Sequence, residues 1–141
     1  MTTANPRITS SSPADLHATG GYHHVTLVSA GRTAHLAGQC PLDADEKIVA
    51  LGDPLGQADR TAENALVALT SAGARPEDVI RTVVYVASDD PDVLAEVWHR
   101  LAEDSPIKAA FVTASTLIGV TCLGYRGQLV EVDLTAALPE G

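Results

Sequence analysis

The stretch Thr113 to Ala136, T-A-S-T-L-I-G-V-T-C-L-G-Y-R-G-Q-L-V-E-V-D-L-T-A, decides how the rest of the chain is read. It holds two apolar runs, Leu117 to Leu123 and Leu129 to Leu134, on either side of the turn-forming Gly124-Tyr125-Arg126-Gly127. Val, Ile, Leu and Thr dominate both runs, which predicts a pair of antiparallel strands. Glu131 sits between Val130 and Val132. Side chains alternate faces along a strand, so valines that enter a core leave Glu131 and Asp133 on the other face. If that face meets water, Glu131 is an ordinary solvated carboxylate. If a second sheet or subunit covers it, the carboxylate lies in a partly dry place where its reactivity can be tuned.

Working outward, 141 residues suit one domain with a real core, and the 45% hydrophobic and 19% charged fractions are those of a globular domain. No apolar run approaches the ~20 residues that span a bilayer, so no membrane partner is expected. Residues 1–19 are polar and rich in Ser, Thr and Pro, and read as a flexible lead without the apolar core of a signal peptide. Residues 20–141 then form the domain, and the missing signal points to the cytoplasm. Acidic side chains outnumber basic ones by 18 to 9, for a formal charge of -9 with no basic cluster. Such a surface repels a phosphate backbone, which argues against nucleic acid as partner. Cys40 and Cys122 lie far apart without metal or redox spacing, so no metal site is expected.

Upstream, Tyr22 to Ser29 and Arg32 to Leu36 flank Ala30-Gly31 and read as a first hairpin. Asp43 to Asp53 is a polar loop with room for a short strand at Ile48 to Leu51. Leu55, Ala58, Ala62, Ala65, Leu66 and Leu69 recur at helical spacing, with Asp53-Pro54 as cap and first turn and Gly73 as stop. Val79 to Ala87 is strongly β-forming, and Asp90-Pro91 opens a second helix with one face at Val93, Leu94, Val97, Trp98 and Leu101. The order β-β-(β)-α-β-α-β-β predicts an α/β two-layer sandwich: a mixed six-stranded sheet with two helices on one face. The other face is too apolar to be all solvent-facing, so association through it is expected.

Five features together resemble the Rid (reactive intermediate deaminase, YjgF) superfamily over residues 20 to 137. They are the Tyr22-His23-His24-Val25 entry, A-G-Q-C-P at Ala37 to Pro41, Gln57 with Asn64 and the Ala72-Gly73 stop, Asp78-Val79 before V-V-Y-V, and V-E-V-D-L-T-A at the end. The resemblance implies a chorismate-mutase-like homotrimer with small-molecule clefts at its subunit interfaces. For the best-studied branch it implies hydrolysis of enamines and imines such as 2-aminoacrylate, with no metal or organic cofactor. It also carries Gly38 over as a ligand-holding backbone, Tyr22 as a wall of the cleft, and Glu131 as the group that positions or activates water.

The substrate-binding arginine of that branch does not carry over. Aligning back from V-E-V-D places Ser115 at the arginine and Leu117 at the cysteine that follows it, while an asparagine common on the second helix falls near Val97. A competing alignment offers Lys108 in S-P-I-K as the cation, although a lysine point charge does not reproduce the two-pronged hold of a guanidinium. Ser115 is therefore either a hydrogen-bonding ligand contact or structural filler. His24 or its neighbour His23 can line the cleft beside Tyr22, and the two point to opposite faces, so one metal cannot easily take both. Cys40 can face the ligand or pack as a small hydrophobe. The expected chemistry is hydrolysis or tautomerisation of a small imine or enamine that lacks the usual carboxylate. A non-catalytic ligand-binding or regulatory trimer is the alternative, and a ribonuclease or translation inhibitor comes third.

Overall fold

A computed structural model describes residues 4–139. In order they form β1 (Ile8–Ser11), β2 (Val25–Val28), β3 (Thr33–His35), α1 (Pro54–Ser71), β4 (Val79–Val86), α2 (Pro91–Asp104), β5 (Ser115–Gly119) and β6 (Val130–Ala137). Short 3-10 turns occupy Pro76–Asp78 and Lys108–Phe111. The expected α/β class with two helices is present, but the strands do not make one six-stranded sheet: four are ordered β3-β6-β4-β5, and β1 and β2 form a separate ribbon.

Both helices start and stop where their end residues dictate. Asp53 caps α1 by accepting from the Gly56 N–H, and Pro54 takes the first position, where no N–H is needed. At the other end Gly73 adopts a φ of +80°, and the Ala74 N–H reaches back to the Leu69 carbonyl at 2.9 Å. That wrap needs a residue without a Cβ at the left-handed position. Ala58, Ala62, Ala65 and Leu69 form the buried face of α1. Three alanines in that row let the helix axis approach β6 closely, so the sheet valines and leucine fill the space between. Val97 and Leu101 do the same for α2, with Trp98 packed edge-on against Phe111.

The sheet separates its faces cleanly. Val84 and Val86 of β4, with Val130, Val132, Leu134 and Ala136 of β6, are buried under the helices. At about 25 cal/mol per Å², each valine and the leucine among them contributes roughly 1.5–3 kcal/mol. Glu131, Asp133 and Thr135 alternate with them and point, half-buried, to the other face.

Several sequence expectations are corrected here. The two runs of the organising stretch do not pair: β4 lies between them, parallel to β5 with Thr82 opposite Ser115, and antiparallel to β6 with Tyr85 opposite Glu131. The more uniformly apolar β4 and β6 take the centre, where both ladder edges must be dry, and β5, with exposed Leu117 and Ile118, takes an edge. Residues 120–129 are irregular rather than strand. The first hairpin likewise does not close, because β2 pairs with β1 and β3 with β6.

Nor are residues 4–19 a loose lead. Ile8–Ser11 pair with Val25–Val28, and Arg7 is buried with its guanidinium donating to the carbonyls of Ser29, Arg32 and Leu138. Polar composition hid this because the segment is held by hydrogen bonds more than by apolar burial. Residues 1–3 of the expected lead lie outside the described residues. The loop at Ile48 to Leu51 forms a single bridge, Leu42 to Ile48, in place of a strand.

Candidate active site

Glu131 is held from three directions. After β3 the chain continues alongside β6: the Leu36 N–H donates to the Leu134 carbonyl at 3.1 Å, and Gln39 and Val132 exchange bonds of 2.8 and 3.0 Å. This extension lays Gly38 beside the two carboxylates of β6. A Cβ at Gly38 would fall on Oε2 of Glu131 and come within 3.0 Å of Oδ1 of Asp133. Glycine is required there for room rather than for a special backbone angle.

The other oxygen, Oε1, is clamped. The Cys40 thiol lies 3.3 Å from it and the Gln128 side-chain amide donates to it at 3.1 Å. Burial, followed by the hydrogen bond and charge of Glu131, pushes the Cys40 thiol up to about 11, so it is protonated at neutral pH and able to donate. Asp133, on the same face, accepts from the Tyr85 hydroxyl at 3.0 Å. That bond, with burial and the two nearby carboxylates, raises the Tyr85 phenol above its ordinary range and keeps it a donor.

Helix α1 fixes both sides of this arrangement. Asn64 donates to the carbonyls of Cys40 at 2.8 Å and Leu42 at 2.9 Å, holding the loop that carries Gly38 and Cys40. Two helical turns earlier, Gln57 donates to Gly127 O at 3.0 Å and accepts from the Leu129 N–H at 2.7 Å, which holds the turn that carries Gln128. Gln57 is fully buried and both ends of its amide are satisfied. The Gln57 and Asn64 pair, visible in the sequence only as a motif, therefore anchors the two backbone segments on which the Glu131 clamp depends.

Tyr22 and Ser115 lie elsewhere. They line, with Trp98 and Leu117, a hollow of about 300 Å³ on the helix side of edge strand β5. Ser115 donates its hydroxyl proton to the Thr113 carbonyl at 2.8 Å, which leaves the oxygen as an acceptor. The Tyr22 ring stands edge-on to Trp98, with centroids 6.0 Å apart. His24 is beside Tyr22, but its Nε2 is 3.0 Å from the His17 carbonyl, and His23 Nδ1 is 2.6 Å from the Val112 carbonyl. Lys108 lines an adjoining hollow of about 200 Å³ that shares Tyr22 and Trp98 with the first, together with Glu103. Within one chain, then, Gly38, Cys40 and Glu131 come together, while Tyr22, Ser115 and His24 form a second group.

Sequence reasoning placed Asp133 on the face of Glu131 but missed Gln128 and Tyr85 as neighbours of the key carboxylate. Tyr85 was detectable in principle, since a tyrosine on the polar face of a central strand has few other places to send its hydroxyl. Gln128 gave no signal, because a glutamine in a turn is normally solvated. Among the described residues no cluster of His, Cys, Asp and Glu could hold a metal ion, and no helix is long and apolar enough to cross a membrane.

This fold and the glycine-carboxylate pairing define a class. A family model described as endoribonuclease L-PSP matches residues 12–138, and the chain belongs to that family, part of the YjgF/L-PSP/Rid superfamily. It is 32% identical over 120 residues to a Myxococcus xanthus protein called DfrA, across 84% of this chain and 86% of that one. It is also 28% identical over 108 residues to the RutC family protein UK114 of Drosophila melanogaster, covering 72% and 78%. Among solved structures it superposes on YyfB of Yersinia pestis, described as a Rid family protein of unknown function, with a TM-score of 0.78 and 28% identity, covering 94% and 99% of the two chains.

Proposed function

We propose that the protein hydrolyses or tautomerises a small imine or enamine without a carboxylate on the imine carbon, in a cleft where Glu131 of one subunit meets Tyr22, Trp98 and Ser115 of another. The observation that carries this reading is the second oxygen of Glu131: among the described residues Oε2 accepts no hydrogen bond, and it occupies the room that the missing Cβ of Gly38 leaves. A carboxylate oxygen so placed can take a proton. In hydrolysis it removes one from water as the water oxygen bonds to the iminium carbon and the C=N electron pair moves to nitrogen. The proton then passes to nitrogen, the C–N bond breaks as the hydroxyl oxygen forms the carbonyl and gives its own proton back to the carboxylate, and ammonia and a carbonyl compound leave, the ammonia taking that proton as ammonium. In tautomerisation the same oxygen removes a proton from the carbon next to the iminium, giving the enamine.

The second hollow supports the choice of substrate. Its lining of Tyr22, Trp98, Ser115 and Leu117 contains no cation, and Lys108 lines the adjoining hollow, where Glu103 is also present. A carboxylate brought there would lose its hydration without a guanidinium to replace it, which costs a few kcal/mol. RNA cleavage, the activity in the family description, is disfavoured by the net charge of -9 and by the acidic face around Glu131 and Asp133.

The direct test measures deuterium uptake from solvent by the cyclic imine pyrroline, compared with pyrroline bearing a carboxylate on its imine carbon. The reading expects accelerated exchange with the carboxylate-free substrate, a slower rate with the carboxylated one, and loss of acceleration in Glu131→Gln. A preference for the carboxylated imine would refute the substrate assignment.

A further inference from the structure

Gln128 and Cys40 do not face the second hollow and belong to no part of the chemistry written above, yet both converge on one oxygen of Glu131. We infer that they are positioning residues: together they fix the Glu131 carboxylate by Oε1 so that Oε2 alone is presented to the substrate. This rests on the proposed role of Glu131.

The geometry leaves Gln128 little freedom. Its side chain is buried, its Oε1 accepts from the Tyr125 N–H at 3.1 Å, and its Nε2 donates both to the Val130 carbonyl and to Glu131 Oε1, each at 3.1 Å. The amide cannot be turned over, because reversal would set its carbonyl against two acceptors and its NH2 against a donor. The turn is itself pinned by Gln57, so the donor position is set by α1 and not by the mobile end of a side chain. Cys40 adds the second donor. Its single proton has two acceptors within reach, Glu131 Oε1 at 3.3 Å and Gly38 O at 3.6 Å, and the charged and nearer one is the stronger.

A carboxylate free to rotate offers either oxygen to the cleft, and only some orientations lie along the path of proton transfer. Two donors on the same oxygen remove that freedom. The Gln128 amide stops the group swinging towards the turn and the Cys40 thiol stops it swinging towards the loop, while the missing Cβ at Gly38 gives Oε2 the room it occupies. A serine at position 40 can make the same donation, whereas alanine at 40 or leucine at 128 cannot.

The test compares pyrroline exchange in Gln128→Leu, Cys40→Ala and Cys40→Ser, each checked for native melting, and adds the double variant Glu131→Gln with Gln128→Leu. Expected are a fall in kcat of about tenfold in Gln128→Leu with KM unchanged, a smaller fall in Cys40→Ala that Cys40→Ser restores, and a double variant no slower than Glu131→Gln alone. Independent losses that multiply in the double variant would overturn the inference, since a residue acting only through Glu131 has nothing left to orient. If Glu131→Gln keeps the wild-type rate, the reading of the site fails. If it is inactive while Gln128→Leu is unaffected, only the positioning role fails. A second measurement requires no turnover: one Gln128 side-chain amide proton should move upfield by NMR in Glu131→Ala, and an unmoved resonance would show that the bond does not exist.

Discussion

Glu131 and Ser115 lie on opposite faces of the same four-stranded sheet. Glu131 stands opposite Tyr85 on the half-buried face, and Ser115 stands opposite Thr82, which is fully buried and donates to the Ala110 carbonyl on the helix side. A whole strand, β4, separates them. No side-chain rotation in one chain can bring both to one small ligand, so a cleft that uses both needs two copies of the chain.

The gap at Gly38 gives the first prediction. In Gly38→Ala the new methyl group displaces Oε2 of Glu131, and a misplacement of about 1 Å is worth roughly 10²-fold in rate. Pyrroline exchange should fall by that order while the melting temperature moves little, because the surroundings are half-buried side chains that can yield.

Thiol chemistry gives the second. With Cys40 pushed up to about 11 from 9.0, its thiolate fraction near pH 8 is about 100-fold below that of an ordinary thiol. Exposed Cys122 should therefore react first with iodoacetamide. Glu131→Gln removes the hydrogen bond and charge that help raise Cys40, so alkylation of Cys40, followed by mass spectrometry, should speed up in that variant.

Acid stability gives the third. Asp78 is fully buried, and although burial acts to raise it, hydrogen bonds from the Arg75 guanidinium and N–H and from Asn5 win and hold its carboxyl below the usual range. A depressed folded value means that the stabilisation is complete above the unfolded value of about 4 and disappears as pH falls through the folded one. The stability gap between the native protein and Asp78→Asn, from urea titrations, should be wide at neutral pH and close on acidification.

The N-terminal segment gives the fourth. Arg7→Met keeps much of the volume but strips donors from the carbonyls of Ser29, Arg32 and Leu138, which should cost about 3 kcal/mol in urea unfolding. A loose lead would show no change.

How much of this the sequence displayed follows from what each signal measures. The caps at Asp53 and Asp90, the alanine row of α1 and the alternation around Glu131 are local patterns, and each is found where its spacing puts it. Strand pairing is not local: the runs before and after Gly124 to Gly127 look like a hairpin, and only the need to dry both edges of β4 splits them. Polar contacts at long separation were out of reach for the same reason. Arg7 meets Leu138 across nearly the whole chain, and Gln128 reads as a solvated turn residue until Gln57 is seen to bury its neighbours.

The two-copy cleft is tested most directly by mixing inactive subunits. Glu131→Gln and Tyr22→Ala chains, each inactive alone, are unfolded together and reassembled, then assayed for pyrroline exchange. Random pairing around a closed ring gives an intact cleft wherever an unaltered Glu131 meets an unaltered Tyr22, so activity should return to about a quarter of the wild-type rate. A mixture as inactive as its two components would mean that each chain works alone, and would contradict the account.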